Sequence, residues 1–346
     1  MIAAPTAGKQ YPRSYADMVS WFGTDADCLD YLDWLRWPDG FVCPSCAAAG
    51  GWRTGDGRWM CTSCSKRTST TAGTIFDRSR TPLTVWFAAA WQLATRKDGV
   101  SALGLQRSLG MASYQTTWAM LHRLRAAMVR PGRERLSGRV EVDEGVFGGV
   151  RVGSPGGRTG DGRVLVAVAV EHKAAPGKGF GRCRFEVIDD AKTPTLKKFL
   201  VSNVEPGSTV LTDGLSSYGP ATAGVYVHER YVAPGPLAHE LLPGVHRVIS
   251  LAKRWLLGTH QGAIEADHLQ SYLDEFTFRF NRRRSRSPGL LFYRVLEQAV
   301  AHEPLRYHEI VASGPVHREP EVGPPGGGGH PATLEGERVR RPWRAA

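Results

Sequence analysis

Two hydrophobic periodicities divide the chain. Up to residue 130, and again beyond 243, apolar positions recur every three or four residues, as in helices with one buried face. Between them, from residue 139, apolar and polar positions alternate, as in half-buried strands. In the first region short helices are predicted over 14–22 and 24–37, with Thr24 or Asp25 capping the second. A helix over 82–95 starts near Pro82 and aligns Val85, Trp86, Ala89, Ala90 and Leu93. Another over 101–109 turns at Gly110, and Ser113 caps a third whose buried stripe is Trp118, Leu121, Leu124 and Met128.

The alternating region opens with Arg139–Phe147. Val140 and Val142 point to one face; Glu141, Asp143 and Gly145 point to the other. A carboxylate inside a strand needs something to offset its charge, so Asp143 asks for a partner. Downstream lie Asp213, closing an apolar strand, and His246, near the start of a long helix. Strands are predicted over 163–171, 182–188, 208–213 and 226–232, with a helix over 193–204. The long helix starts near Pro243 and buries Val245, Val248, Ile249, Ala252 and Leu256, with His246 and Lys253 on one side. Helices over 271–280 and 290–302 follow. Three strands, a helix, two strands and a long helix is the element order of a ribonuclease-H-like core, an α/β layer with a mixed sheet. Gly148–Gly162 lacks the Lys-Ser/Thr ending of a phosphate loop and reads as a flexible hairpin connection.

Six cysteines change the picture of the N-terminal part. Cys43-Pro-Ser-Cys46 and Cys61-Thr-Ser-Cys64 each put two thiols on one side of a tight turn, and two facing turns complete a tetrahedral sulfur site suited to structural zinc. A redox pair would call for a single Cys-x-x-Cys beside a βαβ unit. Cys28 follows the apolar spacing of its helix and reads as packing, as does Cys183 in its strand. The chain has no charged-then-apolar leader and no run of eighteen apolar residues, so neither secretion nor a membrane partner is expected, and the expected location is the cytoplasm.

The chain carries 44 basic and 33 acidic residues, a net charge of +11. That balance favours a polyanionic partner, although a GC-rich genome also accounts for the excess of arginine over lysine. Residues 96–135 are strongly basic, and the helix, glycine turn and second helix within them form a helix-turn-helix-like segment or a plain scaffold. In the first case Gln115, Thr116 and Thr117 face base edges, and Arg123 and Arg125 contact phosphates. Arg282 and Arg283, in a basic run after residue 278, form a second expected phosphate contact.

Together these segments resemble the DDE-type insertion-sequence transposases with an N-terminal zinc ribbon, the ISXO2-like group. The likeness is carried by the cysteine pairs, Val142-Asp-Glu-Gly, Leu211-Thr-Asp-Gly, His246-x6-Lys253, Gly258-Thr-His260 and the run from Tyr272 to Arg283. It implies Asp143 and Asp213 as ligands of catalytic magnesium or manganese, and DNA as partner: the element's terminal inverted repeats and a target. It further implies cleavage, 3′-hydroxyl strand transfer and a homo-oligomer in a synaptic complex near the bacterial nucleoid. A glutamate usually stands seven before the basic residue; here that position is His246, to which the third ligand role is carried, with Glu240 and Glu265 as acidic alternatives and Lys253 as a phosphate contact. A catalytically inactive DNA-binding relative is the competing expectation. The expected domains are a disordered tail (1–12), N-terminal helices (13–40), zinc ribbon (41–75), helical DNA-binding segment (80–135), ribonuclease-H-like domain (138–305) and a disordered Gly/Pro-rich basic tail (312–346).

Overall fold

A computed structural model of the chain describes residues 9–148, 163–173, 179–232, 241–261 and 264–312. The expectations for residues 1–8, for the glycine-rich connection after residue 148, for Glu240 and for the tail beyond 312 lie outside these residues. The chain divides into two compact units.

The first unit combines the N-terminal part up to residue 131 with residues 285–311. Its first helices, α1 (Tyr15–Trp21) and α2 (Asp25–Arg36), both begin with a capping box, Ser14 with Asp17 and Thr24 with Asp27. Strands β1 (Gly51–Arg53), β2 (Trp59–Cys61) and β3 (Arg67–Thr68) form an antiparallel ribbon. Asp33 ties α2 to that ribbon. Its nearly buried carboxylate accepts from Trp59 Nε1 at 3.1 Å and from Thr70 Oγ1, and pairs with Arg53. Helices α3 (Leu83–Thr95), α4 (Ala102–Leu109) and α5 (Tyr114–Ala127) follow. Ser113 caps α5 as predicted, Ser101 caps α4, and Gly110 closes α4 in the left-handed conformation its φ of 63° requires.

Two features of this unit differ from the sequence reading. Helix α5 is buried well beyond its stripe, with Thr117, His122 and Arg125 also inside. And α10 (Pro288–Ala301), expected to close the catalytic domain, packs in this unit, where Phe292 meets Phe22, Phe87 and Trp91. Its aromatic face fits the aromatic side of α3, and burial of such surface outweighs proximity in the chain.

The second unit spans residues 132–284 of the described chain. Its mixed sheet has the order β6-β5-β4-β7-β8, formed by β4 (Arg139–Phe147), β5 (Val164–His172), β6 (Phe180–Ile188), β7 (Thr209–Thr212) and β8 (Val227–Arg230). The first three pair antiparallel; β7 joins β4 in parallel and β8 joins β7 in parallel. The alternation along β4 sorts its neighbours. Val140 and Val142 pack with α6 (Thr193–Asn203) and with Tyr218 of the short α7 (Tyr218–Thr222). Phe147 packs on the opposite face with α8 (Pro243–His260) and α9 (Leu269–Asn281). Helix α7 escaped the sequence reading because its five residues include Gly219 and Pro220.

Helix α9 seals the outer edge of β6 with side-chain amides. Gln270 accepts from Val187 N at 2.8 Å and donates to Phe185 O at 3.2 Å; Asn281 accepts from Cys183 N at 2.7 Å and donates to Cys183 O at 3.2 Å. These bonds take the place of a further strand on an otherwise open edge.

Candidate active site and metal centre

The predicted acidic site is assembled by the match of β4 to α8. Their contacts advance together. Val245 N meets Glu141, His246 Nδ1 lies 3.6 Å from Asp143 Oδ2, Ile249 fits against Gly145, and Lys253 Nζ stands 5.4 Å from the Phe147 ring centre. His246 and Lys253 are seven apart, two helical turns, so both stay on the sheet-facing flank. Gly145 leaves room there: a Cβ at this position would press to 3.2 Å on both Ile249 and Phe147.

Asp213 follows β7 directly. Glu141 is paired with Leu211 in the parallel register of β4 and β7, and the same register carried past the end of β7 sets Asp213 beside Asp143. The Asp213 side chain accepts from Leu215 N at 3.0 Å, which steadies the turn after the strand. Burial pushes the Asp143 carboxyl up to about 6, the nearby Asp213 and Glu141 charges adding to the rise while the Glu144 N–H and His246 oppose it. Glu144 points to the other face and accepts from Tyr218 Oη at 2.5 Å; burial lifts it to about 7. The raised Asp143 carboxyl lacks a neutralising positive charge, and carboxylate oxygens such as those of Asp143 and Asp213 suit a hard divalent ion. Asp143, Asp213 and His246 do not form a closed ligand cluster of the kind the cysteines form. Glu265, an acidic alternative to His246, is exposed and pairs with His268 at 3.6 Å.

The cysteines do form a closed site. Among the described residues, Cys43, Cys46, Cys61 and Cys64 are the cluster whose ligand atoms all lie within 4.8 Å of one another. The Cys43–Cys64 and Cys46–Cys61 sulfurs are 3.7 Å apart, far beyond a disulfide and close to the edge of about 3.8 Å of a tetrahedron with zinc–sulfur bonds of about 2.3 Å. The two knuckles repeat one design. Ala47 N bonds Cys43 O and Ser65 N bonds Cys61 O, and Ala47 and Ser65 both take the left-handed conformation, φ 57° and 56°. The donor set and the spacing fit structural zinc.

The expected nucleic-acid contacts fare unevenly. Gln115 and Thr116 are exposed at the start of α5, but Thr117 is buried and donates to Ser113 O at 2.9 Å. Arg125 is 1 % exposed, which removes its guanidinium from any phosphate-binding surface; half-buried Arg123 donates from Nε to Leu305 O at 2.8 Å. Arg282 lies over Phe278, 4.0 Å to the ring centre. Arg283 stacks on Phe280 and donates to the carbonyls of Phe180 and Gly181. Arg282 thus packs on Phe278 and Arg283 covers carbonyls of β6, roles that a basic run does not announce.

Sequence reasoning also missed Glu141. It shares the Asp143 face of β4 but is 1 % exposed, held by Val245 N at 2.7 Å and His172 Nε2 at 2.5 Å. The signal was available: a second acid in the same strand, on the same face as Asp143.

Residues 135–281 match the family described as the ISXO2-like transposase domain, and residues 23–67 match the transposase zinc-ribbon domain. A protein of Halobacterium salinarum described as an uncharacterized protein in transposable element ISH50 is 27 % identical over 295 residues, covering 78 % of this chain and 95 % of that protein. No helix among the described residues is long and apolar enough to cross a membrane.

Proposed function

We propose, for a chain that belongs to the ISXO2-like transposases with a zinc-ribbon domain, that it cuts the ends of its insertion sequence and joins the freed 3′-hydroxyls to target DNA. The observation that supports this reading is the approach of His246 Nδ1 to Asp143 Oδ2 at 3.6 Å, on a strand whose parallel neighbour β7 leads into Asp213, inside the matched domain. The strand order and the flanking helices support a ribonuclease-H-like core.

In this reading Asp143, Asp213 and His246 hold the divalent ions. Magnesium or manganese, when bound, activates a water or 3′-hydroxyl and stabilises the leaving oxygen. Asp143 and Asp213 offer the oxygens; His246 replaces a third carboxylate with neutral nitrogen and so favours manganese. Exposed Lys253 supplies a cation to the phosphate backbone next to the reacting bond. The zinc ribbon and the α4–α5 segment bind the terminal inverted repeats, with Gln115 and Thr116 toward base edges and Arg123 beside them. Arg282 and Arg283, in the basic run after residue 278, attract the backbone from the catalytic unit. Two ends held in one synaptic complex call for a homo-oligomer, working in the cytoplasm at the nucleoid.

The test is cleavage and strand transfer on labelled element-end DNA with magnesium or manganese, comparing wild type with Asp143→Ala, Asp213→Ala and His246→Ala. Joining by wild type, and its loss in all three variants while end binding persists, is the expected result. Activity retained in His246→Ala moves the third ligand elsewhere. A wild type that binds ends and never cuts is instead a DNA-binding relic.

A further inference from the structure

Helix α8 carries His246 and Lys253, yet its own sequence provides no cap. Leu242 occupies the N-cap position without a side-chain hydrogen bond, and Pro243 and Gly244 fill the next two. The first turn of a helix leaves its N–H groups unsatisfied, and an N-cap side chain normally accepts from the second or third of them. Here Glu141, 104 positions away on β4, accepts from Val245 N at 2.7 Å. Val245 is the third residue of α8, so a strand carboxylate fills the capping role from across the fold, and its charge faces the positive end of the helix dipole.

The surroundings are shaped for this contact. Glu141 is 1 % exposed, and its other oxygen meets His172 Nε2 at 2.5 Å. A Cβ on Gly244 would lie 2.8 Å from Glu141 Oε2 and 2.6 Å from the Phe180 ring, so the close approach requires glycine. Glu141 also sits two residues before Asp143 on the same strand face, and Val245 directly precedes His246.

We infer that Glu141 is a positioning residue that indexes α8 on β4, fixing how far along the strand and at what rotation the helix starts. A slip of one residue would turn His246 and Lys253 by about 100° away from Asp143 and Phe147. The inference rests on the reading of Asp143, Asp213 and His246 as the reaction site; the placement of α8 can be measured apart from it.

The experiment uses the full-length, zinc-loaded protein and its Glu141→Ala, Glu141→Gln and Gly244→Ala variants. Amide hydrogen exchange over 241–250, manganese affinity, end cleavage and thermal midpoint are read for each. Glu141→Ala is expected to speed exchange in the first turn of α8 by about tenfold or more. It is expected to cut cleavage about 100-fold, the cost of a small misplacement, and to weaken manganese binding, with end binding intact. Glu141→Gln keeps an acceptor oxygen and should recover most of the exchange protection and of the cleavage. Gly244→Ala, which displaces the carboxylate without removing it, should resemble Glu141→Ala.

Unchanged exchange and cleavage in Glu141→Ala would overturn the inference. So would equal damage in Glu141→Gln and Glu141→Ala with collapse of the thermal midpoint, which marks a merely structural acid. If wild type cuts nothing with either metal, the catalytic reading fails while the exchange data still decide the indexing.

Discussion

His246 Nδ1 stands 3.6 Å from Asp143 Oδ2, an imidazole facing a buried strand carboxylate. The approach is made by α8 lying along β4, and it places nitrogen where a glutamate would bring a further negative charge. His246→Ala should lower strand joining by about 100-fold or more, the scale of a lost metal contact. His246→Glu should retain joining and shift its preference from manganese toward magnesium. Joining rates with each ion, measured side by side, check this; a wild type inhibited by replacing magnesium with manganese would contradict it.

The zinc ribbon is too small to hold its shape without metal. Its apolar cluster consists of Phe41, Cys43 and Cys61 with flanking Trp37 and Trp59, and Phe41 stacks on Trp59 with ring centres 5.1 Å apart. Structural zinc contributes about 10–16 kcal/mol in such modules. The purified protein should therefore carry zinc held by the cysteine set, and chelation should unstack Trp59. Metal content and tryptophan fluorescence during chelator titration measure both. A metal-free protein with unchanged fluorescence would contradict the expectation.

Ala47 and Ser65 hold left-handed backbone conformations just after each knuckle. A side chain costs about 1–2 kcal/mol there, a cost glycine avoids in part at the expense of unfolded-state entropy. Ala47→Gly and Ser65→Gly should each strengthen the ribbon by about 0.5–1 kcal/mol. Greater resistance to zinc extraction reads this out; easier extraction would count against it.

Gln270 and Asn281 satisfy the open edge of β6. Replacing either by alanine leaves buried backbone groups unpaired, at about 1–3 kcal/mol each. The double variant should also aggregate, because the exposed edge offers a template for another strand. Urea midpoints and light scattering test the pair. Double variants as stable and monodisperse as wild type would assign the edge to other contacts.

The paired cysteines, the alternation of β4, the helix behind Pro243 and the order Asp143, Asp213, His246, Lys253 were all readable from the chain, because each is set by local spacing. The caps at Thr24 and Ser113 were readable for the same reason. What the chain alone left undecided depends on partners distant in sequence. Arg125 looks like a surface cation and is buried because α5 is covered on several sides. Arg283 looks like a phosphate clamp and serves the β6 edge, since only the packed sheet shows which carbonyls lie open. Glu141 looks like one more strand acid, and its meaning appears only when α8 arrives with an uncapped first turn. Local spacing determined which elements form and which residues are candidates for chemistry. The tertiary structure decided which polar groups those residues must satisfy, because a buried donor or charge is paired by whatever the fold brings to it.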